Sequence, residues 1–352
     1  MERSTNDILL EYIDRAAFCV RNGLIVQTNH AAHQKGIYTQ EPITGLLGEN
    51  EPVYRDFSSG SLYLTIYLQQ IPFGASVTRT EDTDIFLLDE DITTSLQTLA
   101  LSAQQLRTPL QTAFAIAEEL QHDKRQGKMA RELSKGLYQM HRIICNMADT
   151  YRYNELTDVR LVSTDLTGTF HEVMEKCAAS IEGTGFRLQY NGLYETVIGM
   201  ADPELLERAI YNLVSNAVKF SAQPGLISAS LQHSGNVLRF TLQDQGGGIA
   251  PEVLGNIFSR YLRGPGVEDG RRGVGLGLAL VRAAAVTHGG TVLIDQPGGT
   301  GVRVTMTIAI RQDDPSVLRS PVKIPTFDYT GGYDHALVEL SDILPAEAYK
   351  NH

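Results

Sequence analysis

The stretch NLVSNAVKFS, residues 212–221, lies on a segment with the pattern of an amphipathic helix. The segment begins with Asp-Pro-Glu at residues 202–204, a favourable start in which Asp caps free amides, Pro fits the first turn and Glu complements the helix dipole. Polar and aromatic side chains share a face away from the apolar stripe: Asn212, Asn216, Lys219 and Phe220. They would serve a polyphosphate, its metal and a base, although taken alone a solvated polar face explains them better.

Two glycine-rich turns follow this helix in the chain. DQGGGI at residues 244–249 comes after a strand-like run, so Asp244 offers an acceptor for an exocyclic amine and the glycines admit a flat ring. GVGLGLAL at residues 273–280 opens a second helix, whose free amides and dipole favour a phosphate. One glycine-rich string is a weak signal, but three such elements in order, about 30 residues apart, predict a nucleotide site.

These motifs resemble those of the histidine kinase branch of the GHKL ATPases. NLVSNAVKFS is similar to its N box, DQGGGI to its G1 box, IFSRYLRG from Ile257 to its F box and GVGLGLAL to its G2 box. HGGTVLI from His288 and GGTGVRVTMTI from Gly298 match its closing hairpin. The resemblance covers residues 100–310 and implies a GHKL-type α/β sandwich that binds ATP with Mg²⁺.

The resemblance also implies roles for individual residues. Asn216 would coordinate the Mg²⁺ that bridges the phosphates, with Asn212 and Lys219 nearby, and Asp244 would accept a hydrogen bond from the adenine amine. The residues expected at the nucleotide are Asn212, Asn216, Lys219, Phe220, Asp244, Gly246, Gly248, Phe258, Arg263, Gly273, Gly275, Leu276, Gly277 and Leu278.

A lid over the phosphates is expected at residues 261–272, which are rich in glycine and charge. Phe258 and Arg263 would belong to it, and Gly275 and Gly277 would let it close. His288 lies in the closing motif and is expected to be structural rather than catalytic.

Residues 92–155 change to an apolar period of three and four, which predicts two helices joined by a short turn. One helical hairpin cannot bury its apolar seams alone. We therefore expect a dimerisation domain that pairs with a second copy into a four-helix bundle, making the protein a homodimer.

In most of the family, the first of these helices carries a phosphate-accepting His and an acid just before LRTPL. Here LRTPL is intact at residues 106–110, but Gln104 and Gln105 precede it. A carboxamide nitrogen is not a nucleophile at neutral pH, whereas an imidazole is one. Autophosphorylation at this position is therefore not expected.

Three other residues of the hairpin determine whether any phosphate chemistry remains without an acceptor at residue 104. His122 and His141 do not stand in the family's motif and are expected to be surface or partly packed histidines. Thr108 lies one turn after Gln104, at the position that in the family places a water for removing phosphate from a receiver domain. A phosphatase or docking role would then survive, although a Thr-Pro helix bend explains Thr108 as well.

The two ends of the chain carry weaker signals. In residues 1–91, Asn22-Gly23 predicts a hairpin turn, alternation at residues 62–68 predicts a strand, and Pro-Phe-Gly at residues 72–74 predicts another turn. This mixed α/β region resembles a PAS-type sensor domain, with a dimerising spacer as the alternative. In residues 313–352, the apolar stretch 336–340 predicts a docking helix in an irregular tail.

The composition limits the partners and the compartment. The net charge of −11 argues against a nucleic-acid or anionic-membrane surface, and no apolar run is long enough to span a bilayer. Three scattered cysteines match no metal spacing and suit a reducing cytosol. We therefore expect a cytoplasmic protein.

The sequence thus predicts an α+β multidomain protein: a PAS-like domain at residues 1–91, a helical hairpin at 92–155, an ATP-binding domain at 156–312 and a tail at 313–352. The leading hypothesis is a two-component signalling protein that binds Mg-ATP and regulates a response regulator or a full histidine kinase. The alternatives are an active kinase that uses another acceptor, such as His141 or a histidine in trans, and a non-enzymatic interaction module stabilised by nucleotide.

Overall fold

The computed structural model describes residues 10–80, 83–89, 106–107, 110–120, 127–152, 161–250, 254, 257–258, 277–297, 300–311 and 328–349. The side chains at 149–152 are outside this description, as are the predicted domain boundaries near residues 91, 155 and 312. Within the described residues, no helix combines the length and the apolarity needed to cross a bilayer.

The N-terminal unit is a five-stranded antiparallel sheet with short helices in one connection. Its strands are β1 (Ala17–Arg21), β2 (Leu24–Thr28), β3 (Ser61–Leu68), β4 (Ile71–Arg79) and β5 (Asp84–Leu88), in the order β2-β1-β5-β4-β3. Between β2 and β3 lie α1 (His30–Gln34), α2 (Thr44–Leu47) and α3 (Glu51–Asp56). The buried core of this unit includes Phe18 and Phe86, whose rings stack 4.7 Å apart.

One of the two predicted turns in this unit is confirmed and the other is wrong. Asn22 and Gly23 have positive φ angles of 51° and 76° and join β1 to β2. Residues 72–74 do not turn, because they belong to β4 and pair with residues 65–67 of β3. The chain reverses instead at Gln69 and Gln70, with φ angles of 50° and 69°, a conformation for which a Gln-Gln pair gives no sequence signal.

The helical hairpin comprises the helical residues 110–120 and the helix α4 (Gly127–Arg152). The buried residues between the two helices are Leu110, Phe114, Ala117, Leu137 and Ile144. A second set of apolar side chains is exposed on the hairpin: Leu106, Ile116, Met129, Leu133, Met140 and Ile143. The seam predicted from the sequence is therefore divided between a packed face and an open one.

The C-terminal unit is a layer of helices on a mixed sheet. Its elements are β6 (Val162–Asp165), α5 (Leu166–Ile181), β7 (Phe186–Asn191), β8 (Ile198–Ala201), α6 (Pro203–Phe220), β9 (Gly225–Ser234), β10 (Val237–Gln243), α7 (Gly277–Thr287), β11 (Val292–Asp295) and β12 (Arg303–Ala309). The strand order is β11-β12-β10-β9-β7, in which β7 and β9 are parallel, and β6 and β8 form a separate pair. One large core buries α5, α6 and α7 against this sheet.

The two sheets are continuous. Strand β11 pairs with β3 through Val292–Tyr63, Leu293–Leu62 and Ile294–Ser61, which makes a single ten-stranded sheet. Gly60, just before β3, has a φ of 94°, and a Cβ built there would lie 2.1 Å from the carbonyl oxygen of Ile294. Close backbone contact at this junction therefore requires glycine.

Residues 328–349, named here the tail segment, are part of the C-terminal core. The predicted docking helix is present as α8 (His335–Glu339), capped by Asp334, which accepts a hydrogen bond from the amide of Leu337. Ala336, Leu337, Leu340, Leu344 and Tyr349 are buried in the same core as α5, α6 and α7. The segment is thus packed against the C-terminal unit rather than loosely attached to it.

Candidate nucleotide-binding site

The helix α6 begins as the sequence predicts. Asp202 is buried, and its Oδ1 accepts a hydrogen bond from the amide of Leu205 at 3.0 Å. The amide of Asp202 donates to Nε2 of His288 at 2.9 Å, while Nδ1 of His288 donates to the carbonyl of Ala284 at 2.6 Å. Burial lowers the pKa of His288, as expected for a neutral ring that accepts at Nε2. His288 therefore joins the ends of α6 and α7, which fits a structural role.

Glycines bring the predicted motifs into contact. A Cβ built on Gly277, the first residue of α7, would lie 2.7 Å from Oδ1 of Asn212 on α6. A Cβ built on Gly246 would lie 2.6 Å from the carbonyl oxygen of Phe220 at the end of α6. The structure thus brings Gly277 against the middle of α6 and Gly246 against its C-terminal end.

Asp244 follows β10 and is 6% exposed. Its Oδ1 accepts hydrogen bonds from the amides of Gly246 at 2.7 Å and Val302 at 3.1 Å. No described residue donates a hydrogen bond to Oδ2. Burial raises the pKa of Asp244, and the two amide hydrogen bonds oppose that rise. The carboxylate is therefore held in a fixed orientation with one oxygen left for a ligand's donor.

Gln296 closes the glycine-rich turn and was not identified from the sequence. Its Oε1 accepts from the amide of Ile249 at 3.1 Å, and its Nε2 donates to the carbonyl of Ile249 at 2.7 Å. Gly248 has a φ of 79°, and a Cβ there would lie 2.2 Å from Oε1 of Gln296. A Gln just after a strand carries no distinctive pattern, so only the fold reveals this contact.

The polar face of α6 meets the hairpin and the tail segment. Asn212 is buried; its Oδ1 accepts from Nη2 of Arg142 on α4 at 3.0 Å, and its Nδ2 donates to the carbonyl of Arg208 at 2.9 Å. The ammonium of Lys219 donates to Oδ2 of Asp342 in the tail segment at 3.2 Å. Asn216 is half-buried, and Phe220 is 49% exposed. Asn212 and Lys219 are therefore already engaged by protein groups.

A buried charge cluster surrounds these contacts. Glu339 on α8 is 0% exposed and accepts from Nε of Arg208 at 2.9 Å and from Nε of Arg142 at 3.3 Å. Arg142 also donates from Nη1 to Oδ2 of Asp342 at 3.0 Å and to the hydroxyl of Ser215 at 3.3 Å. The one sequence signal for this cluster was an acid, Glu339, inside the apolar stretch of the predicted docking helix.

The described part of the F box links the two units. Phe258 is buried, its ring centroid lies 5.6 Å from that of Tyr63 on β3, and its carbonyl accepts from Nη1 of Arg282 at 3.1 Å. Arg282 on α7 also pairs with Asp89, just after β5, at 3.0 Å. Leu278 packs at the edge of the C-terminal core.

Several predicted site residues lie outside the described residues: Gln104, Gln105, Thr108, His122, Arg263, Gly273, Gly275 and Leu276. The alternative acceptor His141 is 5% exposed, its Nε2 donates to the carbonyl of Thr330 at 2.9 Å, and burial lowers its pKa. A ring enclosed by α4 and the tail segment cannot approach a phosphate without rearrangement.

The described residues contain no cluster of three or more His, Cys, Asp or Glu side chains suited to a metal ion.

Comparisons with known proteins agree with this architecture. A family model described as histidine kinase-, DNA gyrase B- and HSP90-like ATPase matches residues 201–312. The sensor histidine kinase YvrG of Bacillus subtilis is 27% identical over 214 residues, which are 58% of this chain and 36% of YvrG. The histidine protein kinase DivJ of Caulobacter vibrioides is 38% identical over 110 residues, which are 31% of this chain and 18% of DivJ.

The structure of full-length ShkA in complex with AMPPNP superposes with a TM-score of 0.50 at 23% identity, covering 62% of this chain and 46% of ShkA, and shows a shared fold. The matches span well under two-thirds of YvrG, DivJ or ShkA. Motif order, the sandwich that carries the motifs and the family match together identify a GHKL-type ATPase domain at residues 201–312, and the chain is similar to sensor histidine kinases over 58% of its length.

Proposed function

We propose that this protein binds Mg-ATP at the end of α6 and acts in a two-component system without autophosphorylation at residue 104. The observation that carries the ATP site is Asp244. It is a buried carboxylate with Oδ1 fixed by two backbone amides and Oδ2 without a donor among the described residues. Such an oxygen can accept a hydrogen bond from the exocyclic amine of adenine. ShkA, which shares the fold, was crystallised with the ATP analogue AMPPNP.

The phosphates would lie between α6 and the start of α7. Gly277 opens α7 against Asn212, so the free amides of its first turn face the same region as the polar side of α6. Asn216 would coordinate Mg²⁺, and Lys219 would contact a phosphate oxygen. Bound there, the Mg²⁺ would neutralise charge on the triphosphate.

The reaction proposed for the protein follows from residues 104–110. Gln104 replaces the acceptor His, whereas LRTPL with Thr108 is retained. We infer that ATP acts as a conformational effector and that the face around Thr108 docks a receiver domain and promotes loss of its phosphate, or regulates a full histidine kinase. The burial of His141 argues against that residue as a substitute acceptor.

Two further features fit a regulatory protein. The five-stranded antiparallel N-terminal sheet with helices in one connection supports a PAS-like sensor domain. The exposed apolar side chains on the hairpin, among them Leu133 and Met140, support a homodimer through a four-helix bundle.

The test is incubation of the protein with γ-labelled ATP and, separately, with phosphorylated receiver domains. We expect no acid-labile label on this chain and faster loss of phosphate from a cognate receiver. Thr108→Ala should abolish that acceleration, while Thr112→Ala, one turn further on, should retain it. Acid-labile label on this chain would favour an active kinase. ATP binding with neither label nor faster loss of receiver phosphate would favour an interaction module. Either result would contradict the proposal.

The site assignment has its own test. Asn216→Ala should weaken ATP binding in the presence of Mg²⁺ and reduce the difference between measurements with and without the ion. If affinity and Mg²⁺ dependence were both unchanged, Asn216 would not be the magnesium ligand.

A further inference from the structure

The tail segment brings an acid to the cations beside the candidate phosphate site. Oδ2 of Asp342 lies 3.0 Å from Nη1 of Arg142 and 3.2 Å from Nζ of Lys219. A carboxylate between a guanidinium and an ammonium has the charge and hydrogen-bonding capacity of a phosphate oxygen pair. Asp342 thus fills an anion site built from α4 and α6.

This anion site adjoins the nucleotide motifs. Arg142 donates to Oδ1 of Asn212, and that oxygen lies 2.7 Å from the Cβ position of Gly277, where α7 begins. Lys219 lies one turn from Asn216 on α6. Arg142 and Lys219 are therefore within the same polar region as the groups proposed to hold the triphosphate and its magnesium.

The charges of the cluster balance only partly. Arg142, Arg208 and Lys219 are paired with Glu339 and Asp342. Glu339 is fully buried between the two arginines, whereas the side chain of Asp342 is 29% exposed. Displacing Asp342 would leave three cations facing one carboxylate, a net positive site for an incoming anion.

The tail segment can release Asp342 without leaving the core. Leu337, Leu340 and Leu344 are buried on either side of it, and the hydroxyl of Tyr349 donates to the carbonyl of Leu337 at 3.1 Å. Asp342 lies in the turn between α8 and Leu344. A rotation of its side chain into solvent is therefore enough to open the site.

We propose that Arg142 and Lys219 together bind the phosphates of ATP, and that Asp342 occupies their anion site until the nucleotide displaces it. The hairpin thereby contributes a nucleotide-binding residue, and the tail segment acts as an internal competitor that lowers the apparent affinity. This inference rests on the proposed ATP site and adds a ligand and a regulator to it.

The test compares Mg-ATP with adenosine by calorimetry on the full chain. Asp342→Asn removes the competing charge and should tighten Mg-ATP binding about three- to tenfold. Adenosine, which has no phosphate, should bind equally to both proteins. Glu347→Gln is the matched control, because it also removes one tail-segment charge, at an exposed site outside the cluster.

A second variant tests the cation. Arg142→Gln should weaken Mg-ATP binding by about tenfold. Its affinity for adenosine should be unchanged, and this unchanged affinity would show that the adenine pocket is folded. In the Arg142→Gln background, Asp342→Asn should tighten Mg-ATP less than it does in the wild type, because the two residues act through one contact.

The outcomes separate this inference from the proposed function. If neither adenosine nor Mg-ATP bound to any variant, the ATP site itself would be refuted. If both ligands bound but Asp342→Asn matched Glu347→Gln, or changed adenosine and Mg-ATP equally, the competition would be refuted while the ATP site stood.

Discussion

At the scale of the residue, the site is defined by backbone contacts that fix single side chains. Asp244 was identified from its place after a strand and before three glycines. In the structure, two backbone amides donate hydrogen bonds to its Oδ1, and no described residue donates to its Oδ2. The glycines were identified as backbone that a flat ring or a phosphate can approach, and the structure adds that Gly246, Gly248 and Gly277 lie too close to neighbouring atoms for a Cβ.

Other residues of the site were beyond sequence reasoning. Gln296, Arg142 and Asp342 reach the motifs from elements far away in the chain, and nothing in their own neighbourhoods marks them. A long-range polar contact depends on how elements pack, and local pattern does not encode that packing. Glu339 was not identified either, although an acid inside an apolar stretch is a signal for a buried partner.

His288 provides a pH-dependent prediction. Its folded-state pKa is lowered by burial, so its contribution to stability is present above the unfolded pKa of about 6.5 and is lost as the pH falls below it. Between pH 7.0 and 5.5, the free energy of unfolding of His288→Gln should fall less than that of the wild type, by at most about 1 kcal/mol. Urea denaturation at the two pH values measures this.

The control for that experiment is His30→Gln, at an exposed position on α1. It should retain the wild-type pH dependence. Equal pH dependence in the wild type and in His288→Gln would show that this ring does not become protonated on unfolding.

At the scale of the element, local patterns predicted the pieces well and their pairing poorly. The start of α6, the hairpin at Asn22-Gly23 and the docking helix α8 all follow from capping, turn and apolar signals. The pairing of β3 with β11 has no such signal. The alternating pattern predicts that each strand pairs with a neighbour, and β4 and β12 within the two units already meet that requirement. The turn after β3 was misplaced because Pro-Phe-Gly tolerates an extended strand.

The junction between the two sheets makes a specific prediction. Gly60→Ala places a Cβ against the carbonyl of Ile294 at a positive φ, so the end of β3 must move away from β11. We expect a loss of about 2–4 kcal/mol in the free energy of unfolding. Amide exchange at residues 61–63 and 292–294 should become faster as well.

Gly45→Ala serves as the control for that change. Gly45 lies in the N-terminal unit with nothing within 4 Å of its Cβ position, so the substitution should be close to neutral. If Gly60→Ala behaved like Gly45→Ala in both measurements, the sheet would not be continuous in solution.

At the scale of the whole molecule, the hairpin has two apolar faces and the chain covers one of them. Leu137 and Ile144 are buried, whereas Leu133 and Met140 are 43% and 48% exposed. Sequence periodicity predicted that the hairpin could not bury all of its apolar side chains alone. It therefore predicted that a second copy of the chain would cover the rest in a four-helix bundle. The packing of the tail segment and α6 against α4 was not predicted, because it depends on residues about 200 positions away in the tail segment and about 70 positions away in α6.

Met140→Glu tests the expected homodimer. A charge on the open face should convert a dimer to a monomer, because burying an unpaired carboxylate is costly. Light scattering coupled to size exclusion measures the mass, and Tyr194→Glu, at a fully exposed position of the C-terminal unit, should leave it unchanged. A wild-type protein that is already monomeric, or a Met140→Glu protein that remains dimeric, would contradict an interface on this face.

Calorimetric titration of Mg-ATP into the wild-type protein and into Asp244→Asn shows whether this fold binds a nucleotide through Asp244. The substitution preserves shape, and the amides of Gly246 and Val302 keep an oxygen at the Oδ1 position, so the new amino group takes the Oδ2 position and cannot accept from adenine. We predict saturable binding to the wild type and a loss of at least about tenfold in affinity in Asp244→Asn, with the fold retained by circular dichroism. Equal affinity in the two proteins, or no binding to the wild type, would contradict the claim that this fold holds a nucleotide between α6 and the glycine-rich turns.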